Sequence, residues 1–236
     1  HERRFSGNDA LATCQGIRHG KVGDMDSYQT ITGSSQGEYE EKKSRFIAYL
    51  SHVETEEEAL DFIANVKAQH PMARHHVYAY ALRAENRVRY SDDGEPQKTA
   101  GLPTLSVLQH AELVDVACVV VRYFGGTLLG TGGLVRAYTK ATQNAVVLAR
   151  TASFAPCCDV VICVDYPLYE KLSYVLKTRG VPVMDTEFSS DVTITVRVLA
   201  ETVDGLVRMV RECCQGREEL LVGDKQLQLI ENLANQ

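Results

Sequence analysis

Three carboxylates fall within four positions, Asp92, Asp93 and Glu95, at the start of a polar run over residues 91–103. Such a cluster can hold a hard cation such as Mg²⁺. The spacing lacks the alternation of ligands over twelve positions of an EF-hand, and Asp-Gly with flanking prolines is also ordinary turn chemistry. No metal and no other cofactor is assigned. Upstream stand His75 and His76. At a strand start they point to opposite faces, so at most one reaches a shared site. An imidazole beside carboxylates suits a general base; a histidine bonded to backbone is the competing reading. Ser91 and Thr99 are the nearest hydroxyls in the run, but nothing marks either as a nucleophile, and no catalytic residue is assigned.

A second constellation follows. Five glycines fall in nine positions, Gly125, Gly126, Gly130, Gly132 and Gly133, between Arg122-Tyr123 and Arg136. Glycines let a backbone approach a ligand closely. A helix start offers unpaired N–H groups and a partial positive charge, so an anion such as a phosphate is the natural guest. Arg122, Arg136 and, one turn on, Lys140 could add charge-assisted contacts. Arginines interleaved with Tyr123 and Tyr138 also suit single-stranded RNA. Known phosphate loops do not fit: Thr131 stands where a P-loop needs Lys, and Val135 where a dinucleotide fingerprint needs Gly. A tight strand-to-helix crossing that excludes side chains is the competing reading, and both stay open.

The elements that must position these residues are legible around them. Val116–Val121 is an unbroken apolar, mostly β-branched run, which predicts a strand buried on both faces. After the glycines, Leu134, Ala137, Tyr138, Ala141 and Ala145 recur at helical spacing. Thr55 with Glu58 predicts a capped helix ending before Pro71. Strands are expected at residues 45–50, 75–82 and 87–90, and a short helix at Thr104–His110. Residues 150–156 read as a linker, with 151–156 left outside both domains. Beyond them the pattern predicts strand 157–165, helix 167–179, strand 181–188, strand 191–199, helix 202–214 and strand 219–229. That βαββαβ order is the ferredoxin-like plan.

Three blocks carry a resemblance. Ala73-Arg74-His75-His76 with Tyr78-Ala79-Tyr80, Ser91-Asp92-Asp93-Gly94-Glu95-Pro96 with Thr99-Ala100-Gly101, and VVVRYFGGTLLGTGGLVRAY over residues 119–138 resemble, in order, the signature of the YigZ/IMPACT family, in its bacterial two-domain branch. The resemblance implies an α+β chain. Its first domain, residues 28–150, would have the βα fold of the second domain of ribosomal protein five of the small subunit. Its second, residues 157–236, would be ferredoxin-like and similar to the last domain of elongation factor G. The resemblance also implies a link to translation, because the eukaryotic branch controls it under starvation. The chain departs from the pattern at Lys98, where the resemblance leads to Gly. If the loop needs a positive φ there, the lysine has to adopt it.

Composition narrows the partners. The net charge is −6, with 13 Lys and Arg against 14 Asp and Glu in residues 28–150 and 8 against 13 in residues 151–236. A general polyanion binder is excluded, but a local basic patch on the first domain is not. Seven scattered cysteines without ligand spacing predict reduced, cytosolic thiols. No apolar stretch reaches membrane-spanning length, and the start His1-Glu2-Arg3-Arg4 lacks a signal peptide's apolar core. Residues 1–27 read as a flexible extension ahead of Met25-Asp26-Ser27-Tyr28. The leading expectation is a cytoplasmic, non-enzymatic protein, a monomer or small homo-oligomer, that binds RNA, the ribosome or a translation-associated protein. Its site would be Arg122, Tyr123, Gly125, Gly126, Gly130, Gly132, Gly133, Arg136 and Lys140. The alternative is an enzyme or small-phospholigand binder with a joint pocket of His75, His76, Asp92, Asp93, Glu95, Lys98 and Thr99.

Overall fold

A computed structural model describes residues 26–230. The extension expected at residues 1–27 lies, apart from its last two residues, outside the described ones. The first half is a five-stranded antiparallel sheet in the order β2-β3-β6-β4-β5. Its strands are β2 (Ser34–Glu41), β3 (Ser44–His52), β4 (His75–Leu82), β5 (Arg87–Ser91) and β6 (Val116–Tyr123). Three helices accompany them: α1 (Glu56–Gln69), α2 (Gly101–His110) and α3 (Gly130–Leu148).

β6 lies at the centre, as its apolar run predicts. Alternation divides it between two cores. Val116, Cys118 and Val120 join Leu134, Tyr138 and Ala141 of α3 and Leu105 and Leu108 of α2. Ala117, Val119 and Val121 join Ala59, Ile63 and Val66 of α1. All six are fully buried, and each buried valine contributes about 1.5–3 kcal/mol over an exposed one. α1 starts where expected: the Thr55 hydroxyl accepts the Glu58 N–H at 3.2 Å, and the Glu58 carboxylate reaches back to the Glu54 N–H at 2.7 Å.

The second half is a sheet built on β7 (Arg150–Val164), with β8 (Val183–Phe188), β9 (Val192–Leu199), β10 (Glu219–Val222), β11 (Gln226–Leu229) and the early strand β1 (Tyr28–Thr32). Helices α4 (Tyr166–Thr178) and α5 (Val203–Cys214) cover one face through Leu168, Leu172, Leu176, Leu206 and Val210. β9 alternates buried and half-buried residues along its whole length. β10, β7, β9 and β8 lie in that order, all antiparallel, which is the ferredoxin-like arrangement.

Three local expectations are corrected. Residues 151–156 are not a linker. They are the first part of β7, paired with β1 and β11. Small residues hide the alternation there, and β1 lies over a hundred positions upstream. β1 also ties the halves together, since its Ile31 is buried in the first core while its backbone belongs to the second sheet. The expected last strand 219–229 is two strands, and α2 begins at Gly101, three residues early.

Candidate functional site

The end of β6, the start of β4, the β2–β3 turn and the start of α3 meet at one end of the first sheet. His75 and Phe46 pair in register with Arg122 on either side. These three side chains therefore share the α3 face, and Tyr123 and His76 share the α1 face.

Arg122 is not a free cation there. Its side chain is 7% exposed, its Nη1 donates to Glu95, whose side chain is 4% exposed, and its guanidinium lies by the rings of Phe46 and Phe124. The Tyr138 hydroxyl donates to the same Glu95 oxygen at 2.8 Å. Burial, then the Glu95 charge, pushes the Tyr138 phenol far above its ordinary pKa, so it stays a donor. The acidic run and the glycine stretch thus converge, but as a buried Arg–Glu–Tyr lock beneath the surface.

The other acidic side chains serve the backbone. Asp92 accepts the N–H groups of Lys98 at 2.8 Å, Ala100 at 3.0 Å and Gly101 at 2.8 Å. It caps α2 from outside, which explains both the early helix start and the lack of a local N-cap residue. Asp93 accepts the His76 N–H at 2.7 Å. The histidines divide as expected. His75 Nδ1 donates to the Asp93 carbonyl at 2.8 Å and holds Nε2 3.9 Å from Glu95. His76 Nε2 donates to the His70 carbonyl at 3.0 Å. Thr99 is buried and donates to the Pro96 carbonyl, and Ser91 accepts the Asp93 N–H. Both imidazoles are anchored to backbone carbonyls.

The glycines divide by role. A Cβ on Gly125 would sit 2.0 Å from the Lys43 carbonyl carbon, so the loop lies directly on the β2–β3 turn. Gly126 and Gly130 have positive φ, and Gly133 is buried in α3. Gly132 is different: it is exposed in the first helical turn, and open space surrounds its Cβ position. Neither a neighbour nor its backbone requires glycine. Leu129, at the N-cap, supplies no capping bond.

Three cations at this end were missed. Lys42 and Lys43 form the two-residue β2–β3 turn with φ of 47° and 64°, and both are exposed. Arg74 is exposed, and its N–H donates to the Arg122 carbonyl. Such a turn ordinarily takes Asn-Gly; two lysines holding left-handed backbone at a candidate site are a strain that function can explain. A Lys-Lys pair just ahead of the strand expected at residues 45–50 was the available signal. Arg136 is exposed nearly two turns into α3, near Tyr39 in the last part of β2. Among the described residues, none of Lys42, Lys43, Arg74 and Arg136 forms an ion pair. Tyr123 faces the other side, where its hydroxyl meets His70 Nδ1 at 2.8 Å and Tyr49 meets His70 Nε2 at 2.8 Å. Lys140 stands ten residues along α3, about 15 Å from its start.

The family model described as the Impact N-terminal domain matches residues 42–146, and that of a domain of unknown function, DUF1949, matches 162–217. An IMPACT family member of Haemophilus influenzae is 37% identical over 183 residues, covering 76% of this chain and 89% of the relative. The chain belongs to the IMPACT family. The IMPACT family members YvyE of Bacillus subtilis and YigZ of Escherichia coli are 32% and 34% identical, covering 85% and 76% of this chain and 93% and 90% of their own. A crystal structure described as a hypothetical protein, 32% identical, superposes with a TM-score of 0.54 and covers 84% of this chain and 97% of its own. These names state membership and no activity.

This IMPACT family member keeps the backbone its family pattern implies at position 98. Lys98 has φ +63°, the left-handed region that glycine takes freely. The substitution K98G is therefore expected to stabilise the chain by about 1 kcal/mol, seen as a Tm rise of about 2–4 °C. An unchanged or lower Tm would show that the lysine stem is held by its surroundings.

Proposed function

We propose that this protein binds RNA, on the ribosome or associated with it, by holding the phosphate backbone at the start of α3, and that it acts in translation. The observation that carries the reading is the strained Lys42–Lys43 turn, seated on Gly125 beside the uncapped, glycine-bearing start of α3. Arg74 and Arg136 extend the positive surface, and the half-exposed ring of Phe124 offers a face for a base to stack on. Gly132 leaves room for a phosphate to approach the first-turn N–H groups. Arg122 has a different part from that of its neighbours: it holds the strand end in place through Glu95.

Co-sedimentation with ribosomes and with single-stranded RNA at two salt concentrations tests this. The triple variant K42A/K43A/R136A is expected to bind weakly and to lower the salt slope by about 2. G132A is expected to raise Tm, since alanine replaces an exposed helical glycine worth about 1 kcal/mol, and to weaken binding through its added methyl. Binding that survives in the triple variant, or is absent at low salt, would overturn the proposal.

A further inference from the structure

A groove of about 850 Å³ runs between α2 and α3 on the helical side of the first half. Leu102 and Val107 of α2 and Val135 and Val147 of α3 line it, and Val135 and Val147 are 39% and 81% exposed. Lys98 and Lys140 are its charged residues: no Asp or Glu lines it, in a chain of net charge −6. Among the described residues neither ammonium forms an ion pair. Lys98 holds its place in left-handed backbone, a cost that a role for its charge would explain.

We propose that this groove docks an amphipathic helix of a partner protein with an acidic flank. The ten residues of α2 span about 15 Å, enough for roughly three turns of a docked helix, whose apolar residues at i, i+3 or i+4 and i+7 would meet the valine and leucine walls. Its carboxylates would meet Lys98 and Lys140. RNA fits less well, because His110 is the one ring among the lining residues for bases to stack on. Residues 1–25 do not supply the acidic flank, since they carry four Lys and Arg against three Asp and Glu.

Fluorescence anisotropy with the full chain tests the proposal. The probes are a labelled synthetic 18-residue helix with leucines at that spacing and glutamates on its flanks, and a second with lysine for every glutamate. The acidic peptide is expected to bind saturably and at least tenfold tighter than the basic one. K140E should weaken it about tenfold. K98G should weaken it while raising Tm, which separates lost charge from lost fold. K42A/K43A should leave it unchanged, which separates this groove from the end of the sheet proposed above. Equal binding of the two peptides, no saturable binding, displacement by a U-rich oligonucleotide, or indifference to K140E would each overturn the proposal.

Discussion

Replacing Glu95 with alanine is expected to cost about 3–5 kcal/mol of folding stability, because it strands a buried guanidinium. Arg122 is 7% exposed on its side chain, and Glu95 supplies its counter-charge and accepts from Tyr138 as well. Buried charge tolerates the loss of one partner far less than the loss of both. The double variant E95A/R122M should therefore be more stable than E95A alone, though short of the natural chain because the Tyr138 hydroxyl loses its acceptor. Urea unfolding reads this directly as a fall in midpoint at constant slope. A cost below about 1 kcal/mol for E95A would show that water reaches the guanidinium, and the lock would be lost as an explanation. The same reasoning governs R122A: any loss of RNA binding in it reports damage to the strand end, so it cannot test the anion site as the lysine variants can.

Replacing Asp92 with alanine is expected to cost about 2–3 kcal/mol, since one carboxylate satisfies three N–H groups ahead of and within the first turn of α2. Hydrogen exchange locates the effect: protection should fall at Ala100 and Gly101 and remain in β6. If Asp92 served a cation instead, Mg²⁺ would raise the Tm of the natural chain and not that of the variant. Under the capping role neither responds. Exchange at Ala100 that stays as slow in the variant would sink the capping role.

Legibility followed the range of the interaction. β6 was readable because a strand buried on both faces must be apolar at every position, and Val116–Val121 shows this without reference to anything else. The core face of α3 was readable for the same kind of reason, including Tyr138 as a core residue. The second half was readable as βαββαβ because its patterns alternate cleanly, β9 above all. β2 was missed as a strand because Glu38, Glu40 and Glu41 make it look like a charged lead-in, although it is paired throughout with β3.

By itself, the sequence determined the family, the doubly buried strand, the helix that follows the glycines and the opposite facing of His75 and His76. Each is set by residue type and by periodicities of 2 or 3.6 within one segment. Only the tertiary structure decided the sign of the surface. Arg122 reads as a phosphate ligand until Glu95, twenty-seven positions away, is found against it. Lys42 and Lys43 read as part of a charged run until Gly125 brings the start of α3 onto their turn. A charge acts through whatever lies within a few ångströms of it, and that is fixed by packing between segments distant in the chain.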